Sequence, residues 1–226
     1  MDASLAHAAL ASLVGLEPDH QLHRLRADGL PPLFVEQWWG HECLAGGFDY
    51  WVDVLHPDAG LAFGEWPGRE AALVTRLDDG QDHLRCGYVA AAHRLDSEGG
   101  LARYRLHCVP WTWLLGHARH SRVYQERTVR DIVEDVLGGH GELACWRWSE
   151  DAVAALAEAP ARSYCVQYRE PDLAFVQRLL AEEGIAGAFE SDSGGRLTLV
   201  LFSDSRAQPE NPQSARDGGI RFHRND

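Results

Sequence analysis

Lysine is absent from all 226 positions, so the 21 basic side chains are all arginine. A P-loop lysine, a Schiff-base lysine and a Ser-Lys dyad are excluded together. Cysteine is scarce: five residues, an odd number, with no C-x-x-C spacing. That pattern argues against a disulfide framework and a zinc knuckle. It predicts reduced, mostly buried thiols in a chain folded in the cytoplasm. Nowhere do about 20 apolar residues follow one another, as a membrane-spanning helix needs. The Ala- and Leu-rich start, Met1–Leu16, lacks the basic region of a signal peptide. Its first arginine is Arg24, and Asp2 and His7 interrupt the apolar run. A short helix or a loose tail is expected there. Surplus positive charge is missing too. The formal net charge of −13 argues against a nucleic-acid surface and against binding to anionic membranes. What remains is an ordinary globular composition, 45% hydrophobic and 24% charged, long enough for one large domain or two small ones.

Complete catalytic or metal constellations are also missing. His117-Ala118-Arg119-His120 sets two imidazoles at i, i+3, which a helix could aim at one ion. No carboxylate or third ligand lies nearby in sequence, and Arg119 would repel a cation, so surface histidines are expected. His41-Glu42 lacks the second histidine of H-E-x-x-H. Asp78, Asp79 and Asp82 lack the length and terminal glutamate of a calcium loop and read as turn residues. Cys165 lies inside an alternating stretch and reads as a buried structural thiol, and no G-x-S-x-G elbow occurs. Trp38, Trp39, Trp51 and Trp66 could form a carbohydrate platform; the core of a small barrel is the preferred reading. Arg103, Arg105, Arg119, Arg122, Arg127 and Arg130 concentrate positive charge within an acidic chain. Solvated surface and a protein contact stand as equal readings, since the planar guanidinium suits interfaces. No catalytic, cofactor-binding or metal-binding residue is assigned.

Hydrophobic periodicity orders the rest. Residues 20–70 read as short strands and loops, with strands over Leu33–Trp38 and Phe48–Leu55. Ala71–Leu77 is a strand, Asp78–Asp82 a turn, His83–Leu95 a longer strand, and Ser97–Gly100 a second turn. Leu101–Val109 alternates strictly, with Ala102, Tyr104, Leu106 and Cys108 opposed to Arg103, Arg105 and His107. That marks an antiparallel meander, of the kind that closes into small barrels. Pro110 ends it, and Trp111–Leu115 makes a helical turn. Thr128-x-x-Asp131 resembles a capping box, and Val129, Ile132, Val133, Val136 and Leu137 form one helical face up to Gly138-Gly139. Residues 140–162 read as a strand with Trp146 and Trp148, then an Ala-rich connecting segment, Asp151–Pro160.

Residues 163–202 form the most legible unit. Tyr164, Val166 and Tyr168 alternate against Cys165 and Gln167 as a strand. A helix over 171–183 starts with Pro171 in its first turn and Asp172 at the positive end of its dipole. Leu173, Val176 and Leu180 form its apolar face, widened by Phe175 and Leu179, and Gly184 stops it. Glu182 and Glu183 oppose the dipole, so this helix depends on packing. A weak strand over Ile185–Phe189, a turn at Asp192–Gly195 and a strand over 197–202 complete a strand, helix and hairpin.

The wording of that unit, YCVQYREPDLAFVQRLLAEEGI, together with RYRLHCVPWTWLLGHARHSRVYQERTVRDIVEDVL at 103–137, resembles the VgrG family. These are trimeric spike proteins of type VI secretion, related to the hubs of contractile phage tails. The resemblance implies an α+β, β-rich, hub-like head: an antiparallel small β-barrel over 1–116, an inserted α/β unit over 117–205, and a tail, 206–226, leading toward a second barrel that is absent. It implies a structural role without enzymatic activity or cofactor, as a spike component that assembles on the Hcp tube and helps deliver effectors. Other VgrG subunits, Hcp, and effectors or adaptor proteins are the implied partners, with neither nucleic acid nor stable membrane insertion. Assembly would occur in the cytoplasm, followed by secretion through the type VI apparatus. A phage or prophage tail hub is the alternative. A hydrolase is a third reading, because some members carry enzymatic C-terminal extensions, for which nothing after Asp226 leaves room.

Overall fold

A computed structural model of the chain describes residues 21–43, 47–98, 101–192 and 194–207. The expected N-terminal helix or tail, the Gly99-Gly100 part of the second turn and nearly all of the C-terminal tail lie outside the described residues.

Six strands build one antiparallel sheet: β1 (His23–Ala27), β2 (Phe34–Glu42), β3 (Phe48–His56), β4 (Glu70–Arg76), β5 (Asp82–Glu98) and β6 (Leu101–Val109), in the order β1-β4-β5-β6-β3-β2. Sheet twist curls it into a half-barrel. The two outermost strands come together where His23 of β1 meets the Trp38 ring of β2 edge-on, 5.7 Å between centroids. The alternation of β6 is observed as read: Ala102, Tyr104, Leu106 and Cys108 are buried, while Arg103, Arg105 and His107 face outward. Burial pushes the Cys108 thiol up to about 12, which leaves it an inert part of the core. Strand β5 is longer than expected, because Ser97 and Glu98 still pair with Ala102 and Leu101.

Pro110 then hands the chain to α1 (Thr112–Leu115). Among the described residues, strand β7 (Arg119–Tyr124) pairs only with β9 (Cys165–Pro171), forming a two-stranded ribbon. Helix α2 (Val129–Gly138) has the expected capping box: the Asp131 N–H donates to Thr128 Oγ1 at 3.1 Å, and the Thr128 N–H donates to Asp131 at 3.2 Å. Helix α4 (Asp172–Glu182) buries Phe175, Val176, Leu179 and Leu180, and leaves Gln177 exposed. Pro171 caps it from just outside the first turn. Gly184, at φ +68°, ends it in a conformation that costs other residues a Cβ clash. Arg162 spans the unfavourable end, pairing with both Glu182 and Glu183.

A second sheet holds β10 (Ala186–Ser191), β11 (Leu197–Phe202) and β8 (Trp146–Trp148), the last parallel to β11. The Ala-rich stretch read as a connection is a helix, α3 (Glu150–Ala157). Ser149 Oγ accepts from the Ala152 N–H, Glu150 and Asp151 sit at the positive end of the dipole, and alanine favours the helix intrinsically. One continuous cluster of buried apolar side chains links the half-barrel, through Trp111 and Leu115, to α2, α4 and β11. No described helix is long and apolar enough to cross a membrane.

Candidate functional site

Strand β9 turns its tyrosines outward and its cysteine and glutamine inward. It begins at Cys165 rather than Tyr164, and buries Cys165 and Gln167, while Tyr164 and Tyr168 are 60% and 70% exposed. The cause lies beneath it. Asp172, the first residue of α4, is 0% exposed, and a buried carboxylate needs donors from every side. Gln167 Nε2 reaches Asp172 Oδ1 at 2.7 Å, Arg122 Nη1 at 2.8 Å and His120 Nδ1 at 2.9 Å. His140 Nε2 supplies Oδ2 at 3.0 Å from the loop after α2. Burial alone would raise this carboxyl; the hydrogen bonds from Gln167, His120, Arg122 and His140 outweigh it and hold the group at about 2. The result is a fixed anion with its lone pairs occupied, a clasp joining β7, β9, α4 and the end of α2. It has no free face for acid–base work or metal binding.

The ribbon carries a bulge opposite Ser121, where the register shifts between His120 and Arg122. Arg169 takes φ +48° there, with its N–H donating to Ser121 Oγ at 3.2 Å. The bulge lets Gln167 point inward while Tyr168 and Arg169 stay outside.

A second buried carboxylate supports the outer face of the half-barrel. Asp53 of β3, 0% exposed, accepts from Gln37 Nε2 at 2.7 Å and from Arg105 Nε and Nη2 at 2.7 and 2.8 Å. Burial opposes its ionisation, but the Arg105 and Gln37 hydrogen bonds win and lower its pKa. The tryptophan cluster divides here, correcting the expectation of a common core. Trp66 is buried and Trp38 packs against the core, but Trp39 and Trp51 lie on the outer face. Adjacent strand residues cannot share a face. His107 stacks on Trp51 at 4.2 Å and 6°, and the Arg105 guanidinium covers Trp39 at 4.6 Å. These contacts tie both rings to neighbouring side chains of the outer face.

The remaining candidates separate clearly. His117 and His120 share no helix: His117 Nδ1 bonds the Trp113 carbonyl at 3.1 Å, and His120 belongs to strand β7 and the Asp172 clasp. His41 and Glu42 end β2, where Glu42 accepts from the Tyr50 hydroxyl. Asp78 and Asp79 occupy a turn, with the Gln81 N–H donating to Asp79 at 2.9 Å. Asp82 is instead the first residue of β5, gathering Arg24 at 2.6 Å and Arg76 at 2.8 Å. Cys165 is buried, as read. Among the described residues, no three His, Cys, Asp or Glu side chains are arranged for a metal ion. Of the six singled-out arginines, Arg103 pairs with Glu36, Arg105 with Asp53, Arg122 with Asp172 and Arg130 with Glu134. Sequence reasoning missed the clasp because its members lie 5 to 52 positions from Asp172. The one available signal was His120 and Arg122 at strand spacing.

The sequence profile of the phage tail baseplate hub family (GPD) matches residues 41–226. The chain belongs to this family. The hub chain is 35% identical over 195 residues to the type VI secretion system spike protein VgrG4b of Pseudomonas aeruginosa, covering 85% of this chain and 23% of that protein. It is 31% identical over 200 residues to the spike protein VgrG3 of Vibrio cholerae, covering 83% of this chain and 19% of that one. It thus spans less than a quarter of these relatives' length. Among solved structures, an E. coli component of the type VI secretion system, described as similar to T4 tail proteins gp27 and gp5, superposes with a TM-score of 0.72 at 27% identity, over 83% of this chain and 51% of that one. A 43 kDa tail protein of prophage MuSo2 from Shewanella oneidensis shares the fold, with a TM-score of 0.53 at 16% identity, over 79% of this chain and 52% of that one.

Proposed function

We propose that the chain serves as the hub-like head of a type VI secretion spike, a structural part rather than an enzyme. It sits on the Hcp tube with other VgrG subunits, helps carry effectors or their adaptors, and leaves through the apparatus after assembling in the cytoplasm. In this reading residues 1–116 act as the first barrel, 117–205 as the α/β unit that rides on it, and 206–226 as the lead toward a second barrel. The observation that carries it is the hub-family match across most of the chain, joined to a fold close to that of an E. coli type VI component. The acidic balance of the sequence supports protein partners over nucleic acid.

The test is a chimera. The chain replaces the matching segment of P. aeruginosa VgrG4b, and Hcp release into the medium is followed. Release comparable to the parent is expected; a folded, expressed chimera that releases no Hcp would contradict the reading. A phage or prophage tail hub is the second reading, favoured by the fold shared with the MuSo2 tail protein. It would gain if the chimera failed while the same segment restored a contractile phage tail.

A further inference from the structure

An apolar groove of about 320 Å³ runs between α4 and the second sheet. Leu173, Val176 and Leu180 of α4, Leu115 of α1, Phe189 of β10 and Leu199 of β11 line it. Among the described residues, Thr112 and Gln177 are its only polar side chains, and none in its lining is charged. Leu173 and Phe189 are half-buried, and Gln177 and Ala181 are exposed at its rim. A site of this size with so few polar groups suits aliphatic side chains better than a small molecule, which placed polar groups would have to orient. The groove also lies within reach of the start of β1. Ring contacts run from His23 to Trp38, Tyr50, Phe48 and Phe189, each step between 4.6 and 6.1 Å. Four such steps are covered by about seven residues of extended chain, at about 3.3–3.6 Å each. Leu16 stands seven positions before His23.

We infer that the Ala- and Leu-rich segment Met1–Leu16 docks in this groove of its own chain. Its chemistry matches the lining: Leu5, Leu10, Leu13, Val14 and Leu16 stand among alanines, with Asp2 as the only charged side chain apart from His7. On a helix, Leu5, Ala9, Leu13 and Leu16 follow i, i+4, i+8, i+11 spacing and form one apolar stripe. Glu17-Pro18 favours a stop just after it. Burying the stripe also takes Leu173 and Phe189 out of water. Tethering decides between this segment and the same segment of a second copy. On a short linker, the chain's own segment acts at an effective concentration in the millimolar range, which free copies at micromolar concentration do not match. The contact lies within one chain and is independent of the spike reading.

A photoreactive benzophenone amino acid placed at position 13 of the full chain, followed by mass spectrometry of the cross-linked peptides, tests this. Cross-links within one chain to residues 173–189 are expected, with a yield unchanged between about 1 and about 50 µM protein. Ala181→Glu sets a charge at an exposed rim position and, with native circular dichroism, should lower that yield about tenfold or more. Hydrogen exchange gives a second reading that leaves the groove untouched. Amides of residues 5–16 should exchange about tenfold or more slowly in the chain than in a synthetic peptide of residues 1–16, and Leu13→Asp should abolish that protection. Cross-links mainly elsewhere on the chain, or a yield unmoved by Ala181→Glu, would overturn the inference. So would cross-linked dimers, which would make a second copy the occupant, or exchange as fast as in the free peptide, which would leave the groove to a partner.

Discussion

Strands β6 and β9 obey the same two-residue period and use it in opposite ways. In β6 the apolar set, Tyr104, Leu106 and Cys108, enters the half-barrel, and the charged set faces out to meet Glu36, Asp53 and Asp49. In β9 the aromatic set faces out, and Gln167 goes in to complete the shell of Asp172. The difference shows what decides facing. A strand over an apolar layer turns its apolar residues inward, but a strand over a buried anion must turn donors inward, because an unsatisfied buried charge costs more than an exposed tyrosine.

The largest expected effect comes from removing the anion. Asp172→Ala strands Arg122 and the inward-turned Gln167, and should cost about 3–5 kcal/mol in urea unfolding. Tyr168→Ala on the opposite face should stay within about 0.5 kcal/mol. Equal losses would mean that the facing of β9 does not arise from the clasp. The helix behind the clasp sharpens the contrast: Leu180→Ala should cost about 2–5 kcal/mol, and Gln177→Ala no more than about 0.5 kcal/mol, by the same measurement. Smaller again, Ser149→Ala removes the cap of α3 and should cost about 1 kcal/mol. A null result there would show that the Ala-rich helix is held by packing on β11 alone.

The half-barrel strands and helices α2 and α4 were legible because their apolar residues follow one period over an apolar core. The capping box at Thr128 and the stop at Gly184 were legible because such signals are local. Strand β7 was not, since His120 and Arg122 face inward as polar residues and Val123 faces out, so no apolar alternation marks it. Trp39 and Trp51 misled by composition: tryptophan suggests a core, but register places them beyond the sheet. The Asp172 clasp could not be seen as a unit, because its donors come from three separate segments and none of their spacings repeats a motif.

The clasp is the centre of this account, and proton linkage tests it most directly. Asp172 is held at about 2, against about 4 in an unfolded chain. A depressed carboxyl stabilises the fold above its unfolded value and loses that contribution as pH falls through its folded value. Unfolding free energies of the wild type and Asp172→Asn, measured by urea titration from pH 6 down to pH 3, isolate this group. The advantage of the wild type should narrow by about 1 kcal/mol over that range, roughly half of the linked stability of about 2–3 kcal/mol. A difference that stays constant with pH would contradict an ionised, hydrogen-bonded carboxylate at this position.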